Sequence, residues 1–304
     1  MGQGFYAFLN IGGIMQYVSF IRLGEPAFGV FLNNKVYDLT YQLGSGVSTL
    51  KEAIHFDVLP ENSEELDDYL SHITSYSLSD ITFIPVIPDP GKILCIGLNY
   101  EKHRKETQRP ESEFPTIFTR FPDTQVAHRE SIIKPKVSER VDFEGELAVI
   151  IGKGGKNIPE AEAMESVVGF SCYNDVSIRD YQRHTSQFIP GKNFSKTGCF
   201  GPFLTMASSI ANYEDLSIRT LLNGKTVQDA KLDQLIFSIP ELISYISTFI
   251  PLVPGDVIVS GTPGGVGDRR DPPLYMKKGD IVEVEISQVG KLVNPILDEE
   301  SIIN

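Results

Sequence analysis

From Lys92 to the C-terminus the chain is a succession of short apolar runs rich in β-branched residues, KILCIGL, ELAVIIG, VVGFSCYN, DVIVSG and IVEVEI, each bounded by Gly, Pro or Asp. Runs of that length, with few long helical periods between them, can bury themselves only in packed or closed sheets. They predict a strand-rich α+β fold built as a barrel or roll. Helical spacing is confined to 99–107, 160–164 and 240–249. The N-terminal part reads differently. Between Met15 and Thr40, YVSFIRL, FGVFL and KVYDL alternate with turns at Leu23-Gly24-Glu25-Pro26 and Asn33-Asn34, the pattern of an antiparallel meander. Thr49 with Glu52 forms a capping box before AIHF, and ENSEELDDYLSHI places Leu66, Tyr69, Leu70 and Ile73 on one helical face. The segment FIPVIPDPGK, with Pro85, Pro88 and Pro90, is stiff and extended and makes a natural boundary. The expected division is a small N-terminal α/β domain over 15–85 and a larger domain over 91–304. Residues 1–14 form an extension of no assigned role, with Met15 offering a second start.

Composition narrows the partners. With 40 acidic against 27 basic residues the net charge is −13, so the concentrated Lys/Arg surface that nucleic acids or anionic membranes require is missing. No stretch is apolar for the roughly 18 residues a spanning helix needs. The first basic residue is Arg22, which makes the N-terminus a poor signal peptide. Cys95, Cys172 and Cys199 are odd in number and form no CxxC, as expected of a reducing, cytoplasmic setting.

The chemistry points to acidic residues. In VDFEGELAVI, side chains alternate along a strand, so Glu144 and Glu146 face the same way at the entrance to an apolar run. Two carboxylates so placed repel unless a divalent cation neutralises them; alone, they read as readily as a solvated edge pair. Asp175 closes the run VVGFSCYN and supplies a third acid, though by itself it could equally cap a turn. Three carboxylates leave positions open for water and a chelating ligand, and with neither Cys nor His beside them they suit Mg²⁺ or Mn²⁺ better than Zn²⁺. In NYEKHRKE a helix would bring His103 and Glu106 together, the carboxylate orienting the imidazole as a general base; the bland alternative is a casual surface pair. Gly261 to Gly267, GTPGGVG, follow a strand and can present backbone N–H groups to an anion, but no P-loop or dinucleotide pattern accompanies them. Lys192, after Gly191, could serve a carboxylate or enolate oxygen.

Taken in order, GLNYEKHRKE, DFEGELAVIIGK, CYNDVSIRDYQ, GKNF, LNGK, FSIPELI and GDVIVSGTPGGVG resemble the motif series of the fumarylacetoacetate hydrolase family, over roughly two-thirds of the chain. The resemblance implies a roll of mixed β-sheets with a smaller N-terminal domain, commonly in a homodimer. It implies metal ligation by Glu144, Glu146 and Asp175, a His103–Glu106 dyad on a lid, an active-site Lys192, and contact of Thr262 with the substrate's acid group. One departure stands out. Where many relatives carry lysine after Pro-x-x-Phe, this chain has Arg120, which could grip a second substrate carboxylate or hold the lid loop. Arg183 to Gln187 are polar and could line the specificity end, with Gln187 as a substrate contact. The expected activity is Mg²⁺- or Mn²⁺-dependent hydrolysis of a carbon–carbon bond in a small anionic 2-oxo acid of the acylpyruvate or fumarylpyruvate type. In that reaction His103 activates water and Lys192 steadies the developing oxyanion. Oxaloacetate decarboxylation and keto–enol or double-bond isomerisation need the same metal and base, and a metal-stabilised binding protein without activity is the alternative of a different class.

Overall fold

ELAVII and VVGFSCYND become the strands Gly145–Ile151 and Val167–Asp175, buried on both faces along nearly their whole length, which is why neither alternates apolar with polar residues. The computed structural model describes residues 13–108 and 110–299. The expected extension therefore lies outside the described residues except for Gly13 and Ile14. The two strands pair antiparallel, Gly145 opposite Asn174 and Leu147 opposite Cys172, at the centre of a large mixed sheet. On one side of them run Gly198–Met206, Gln16–Arg22, Glu25–Leu32, Lys35–Asp38 and Ser75–Ser77, and on the other Val257–Val259, Ile93–Gly97 and Thr116–Arg120. A second sheet orders Lys225–Lys231, Ser217–Leu222, Ile281–Ile286, Gly290–Asp298 and Ile132–Lys134. The two sheets share a core in which Leu147, Phe170 and Cys172 meet Ile218, Val284 and Leu292. The opposite face of the large sheet buries Ala148, Ile150 and Phe200 against Tyr17, Phe28 and Leu50. The fold is thus the strand-rich α+β arrangement expected, with its central sheet covered on both faces.

The meander forms as the turns predict. Asn33 and Asn34 both take positive φ, 52° and 62°, the two-residue hairpin geometry whose twist matches its flanking strands. It is not a separate sheet. Gln16 pairs with Thr205 and Tyr17 with Leu204, so the proline-rich segment divides the chain while hydrogen bonds cross that division.

Helices are shorter than the spacing suggests. The capping box at Thr49 and Glu52 is complete, and Leu50–His55 buries Leu50, Ala53 and Ile54. The helix expected in ENSEELDDYLSHI shrinks to a 3₁₀ turn at Glu64–Leu66 and one turn at Asp67–Leu70. It has no side-chain cap, and too few residues to offset the cost of nucleation. The stretch 160–164 is 3₁₀ (Glu160–Ser166), whereas Ile239–Phe249 is a true helix, with a Ser238/Glu241 capping box and Pro240 in its first turn. The three cysteines are buried and unpaired.

His128 gives the fold a pH dependence away from the site. It is 4% exposed, accepts the Val293 N–H at 3.2 Å and packs edge-on to Phe83; burial, with Arg129 beside it, pushes the imidazole down to about 3. The unfolded chain therefore binds a proton that the folded chain refuses between about pH 6.5 and that value, and stability falls as pH drops through the window. Urea unfolding should show the parent losing about 2 kcal/mol more than His128→Gln between pH 7 and pH 5. Equal losses would show that His128 protonates without unfolding.

Candidate active site and metal centre

The acids converge because two strand ends are paired. Asp175 is the last residue of its strand, and its N–H donates to the carbonyl of Glu144 at 2.9 Å, just where Gly145–Ile151 begins. Glu144, Glu146 and Asp175 are all buried, each with an oxygen within 4.8 Å of the others. Cations surround them unequally. Arg179 Nη2 lies 2.7 Å from Glu144 Oε1 and also reaches Asp142 Oδ2 at 2.7 Å. Arg120 Nη1 holds Asp175 Oδ1 at 2.6 Å, and Lys192 Nζ bridges Glu144 Oε2 and Asp175 Oδ2. Burial pushes Glu144's carboxyl up, but Arg179 and Lys192 outweigh it and leave it well below the usual range. Among the described residues Glu146 has no paired cation; burial first, then Asp175 and Glu144, push its carboxyl well above the usual range. Among the described residues, Asp142, Glu144, Glu146 and Asp175 meet three cations, Arg120, Arg179 and Lys192, so one carboxyl of the four must either stay protonated or find a further cation.

The second element is the dyad. Glu101–Glu106 is helical, so His103 and Glu106 share a face, and Nδ1 lies 2.8 Å from Glu106 Oε1. Glu106 is itself held by the N–H of Gly265. The glycine-rich turn meets anions as expected, but they are the protein's own. Gly261 N–H donates to Glu146 Oε2 at 2.7 Å, Gly265 to Glu106, and Gly267 to Asp142 Oδ1 at 2.8 Å. Close approach requires glycine: a Cβ on Gly261 (φ +103°) would lie 2.7 Å from Asn99 Cβ, and one on Gly265 (φ +108°) 2.5 Å from the Val227 carbonyl. Arg270 secures the turn from outside through Gly265 O and Val227 O. Between the acids and the helix lies a cavity of about 210 Å³ that touches Glu144, Glu146, His103, Arg179 and Thr262. Phe118, Phe188 and Val266 line it with apolar surface.

Residues 92–297 match the fumarylacetoacetate (FAA) hydrolase C-terminal family. The chain belongs to the fumarylacetoacetate hydrolase family. It is 41% identical over 221 residues to the mitochondrial oxaloacetate tautomerase FAHD2A of Bos taurus, covering 72% of this chain and 70% of that protein. It is 34% identical over 299 residues to the fumarylacetoacetate hydrolase domain-containing protein 2 homolog of Dictyostelium discoideum, covering 93% and 98%. Among solved structures, the fumarylacetoacetate hydrolase of Exiguobacterium antarcticum superposes with a TM-score of 0.82 at 28% identity, covering 94% of this chain and all of that one.

Within this family fold, the structure brings together Glu144, Glu146, Asp175, His103, Glu106 and Thr262 and places three other expected residues off the cavity wall. Arg120 is 2% exposed, lies off the cavity wall, and directs Nη1 and Nη2 to Asp175, the Val176 carbonyl and Thr197 Oγ1. It positions a metal-ligand candidate from behind. Gln187 is exposed and outside the cavity wall, although its neighbours Thr185 and Phe188 line it; its N–H donates to Thr185 Oγ1. Lys192 is buried beneath the acids with its ammonium donors directed at Glu144 and at the side chain and carbonyl of Asp175, the position of a counter-cation to them. Thr262 does face the cavity, but its hydroxyl donates to Gly145 O at 2.9 Å. Arg179 and Asp142 are functional neighbours that the spacing argument misses; the one available signal is a cation four residues past Asp175. The donor set itself fits a hard divalent cation: all-oxygen and buried, with one carboxyl, Glu146, that ionises readily only if a further cation joins it.

Proposed function

We propose that this protein interconverts the keto and enol forms of a small 2-oxo acid, oxaloacetate foremost, at a divalent cation of the Mg²⁺ or Mn²⁺ type held by Glu144, Glu146 and Asp175. The observation that carries the reading is the placement of His103. It is buried on the wall of the cavity that also touches Glu144 and Glu146, and its Nδ1 is committed to Glu106. With Nδ1–H donating, Nε2 keeps the lone pair a general base requires. A cation bound by the carboxylates supplies Lewis-acid polarisation of the 2-oxo carbonyl, which acidifies the adjacent C–H. His103 Nε2 takes the C3 proton and returns it, to oxygen in one direction and to carbon in the other. Glu106, fixed by Gly265, stabilises the imidazolium in between, while Phe118, Phe188 and Val266 exclude bulk water. Proton transfer needs one base and no ordered nucleophilic water. That economy supports tautomerisation over the carbon–carbon hydrolysis first expected, and so does the name borne by the 41% identical bovine relative.

The test follows enol absorbance and deuterium uptake at C3 of oxaloacetate, with Mg²⁺ or Mn²⁺ and after chelation. Metal-dependent acceleration over buffer, with no matching release of pyruvate, supports tautomerisation. Turnover confined to an acylpyruvate restores the hydrolase reading, and indifference to metal with both substrates overturns the metal-enzyme reading.

A further inference from the structure

The cavity has a second charged region, separated from Glu144 by the Asp142–Arg179 pair. Arg183, Asp268 and Arg269 line it there. The side chains of Arg183 and Arg269 are 44% and 37% exposed, against 0–6% for the buried acids, so they mark the mouth. Asp268 is the shared centre: Arg183 Nη2 pairs with Oδ2, Tyr275 Oη donates to Oδ1 at 2.8 Å, and its N–H donates to Asp142 Oδ2 at 3.0 Å. Arg269 is only loosely engaged. Among the described residues its guanidinium meets Asp268 Oδ2 through Nε at 3.5 Å, and its two terminal nitrogens have no partner. Two guanidiniums on one carboxylate leave a net positive charge on a cavity wall, with a planar fork unclaimed. Arg179, by contrast, is committed to Asp142 and Glu144.

We infer that Arg269, with Arg183 beside it, is a specificity-determining subsite that receives the second carboxylate of a dicarboxylic substrate at the mouth of the cavity. Asp268 positions the pair: it anchors Arg183 and, through its backbone N–H, ties the mouth to the Asp142–Arg179 pair beneath. This rests on the proposed reading in one respect, that the 2-oxo end of the substrate lies at the three acids. The subsite selects diacids over monoacids that lack only the distal carboxylate and takes no part in proton transfer.

The test uses the full-length protein with saturating Mn²⁺ and two unreactive probes, malate and lactate, which share a 2-hydroxy acid end and differ by the distal carboxylate. Titration calorimetry should show the parent binding malate more tightly. In Arg269→Gln the malate-to-lactate affinity ratio should fall about tenfold or more, the loss expected for a charge-assisted hydrogen bond, with Arg269→Lys intermediate because it keeps charge but not the fork. An unchanged ratio in Arg269→Gln overturns the subsite, as does a parent that fails to prefer malate. Because binding is read without turnover, a protein that selects malate yet does not tautomerise oxaloacetate would indict the reaction and leave the subsite standing.

Discussion

Glu146→Gln should yield a protein at least as stable as its parent without divalent ions, and deaf to them when they are added. Among the described residues Glu146 is the one acid of the cluster with no arginine or lysine paired to it, and burial first, then the nearby Asp175 and Glu144, disfavour its charged form. The amide keeps an oxygen for the Gly261 N–H and removes the charge, so the metal-free fold loses nothing. A site occupied at 100 times its dissociation constant adds about 2.7 kcal/mol to folding stability. Thermal unfolding with and without Mn²⁺ should therefore show a clear rise for the parent and almost none for the variant. An equal rise in both would mean that the ion binds elsewhere.

His103→Ala should do the opposite, sparing the metal response and removing the reaction. Positioned general bases contribute about 10²- to 10⁴-fold, and no other imidazole lines the cavity among the described residues, so tautomerisation should drop by that factor. The Mn²⁺-induced stabilisation should persist, since the three carboxylates do not depend on the helix Glu101–Glu106 for their geometry. A variant retaining more than a tenth of the parent's rate would move the base to another residue. The two substitutions together separate ion binding from proton transfer.

The parts of this architecture that show in the sequence are those encoded locally. Strand runs, the Asn33-Asn34 hairpin, the Thr49–Glu52 capping box and the His103–Glu106 spacing each depend on residues within a few positions, and each appears in the structure. Glu144, Glu146 and Asp175 are legible for a related reason: alternation sets the first two, and a polar residue ending an apolar run marks the third. What escapes is decided by pairing between distant segments. Arg120 turns inward because Asp175 and Thr197, 55 and 77 residues away, take its donors. Lys192 meets partners 48 and 17 residues distant, and Gln187 stands outside the cavity wall that Thr185 and Phe188 line, which polarity alone does not reveal. A cation's type can be read from a sequence, but which carboxylate claims it depends on register.

The pairing of Gln16 and Tyr17 with Thr205 and Leu204 bears on how far this polypeptide can be cut or recombined. Clipping the chain at the prolines, where composition invites a cut, would strip the neighbour from part of Gly198–Met206, the strand that pairs directly with the one ending in Asp175. An open β-edge recruits other edges. Modular exchange of the N-terminal segment among homologues would thus have to respect that seam, and a fragment starting at Lys92 would be a candidate for self-association long before its chemistry could be assayed.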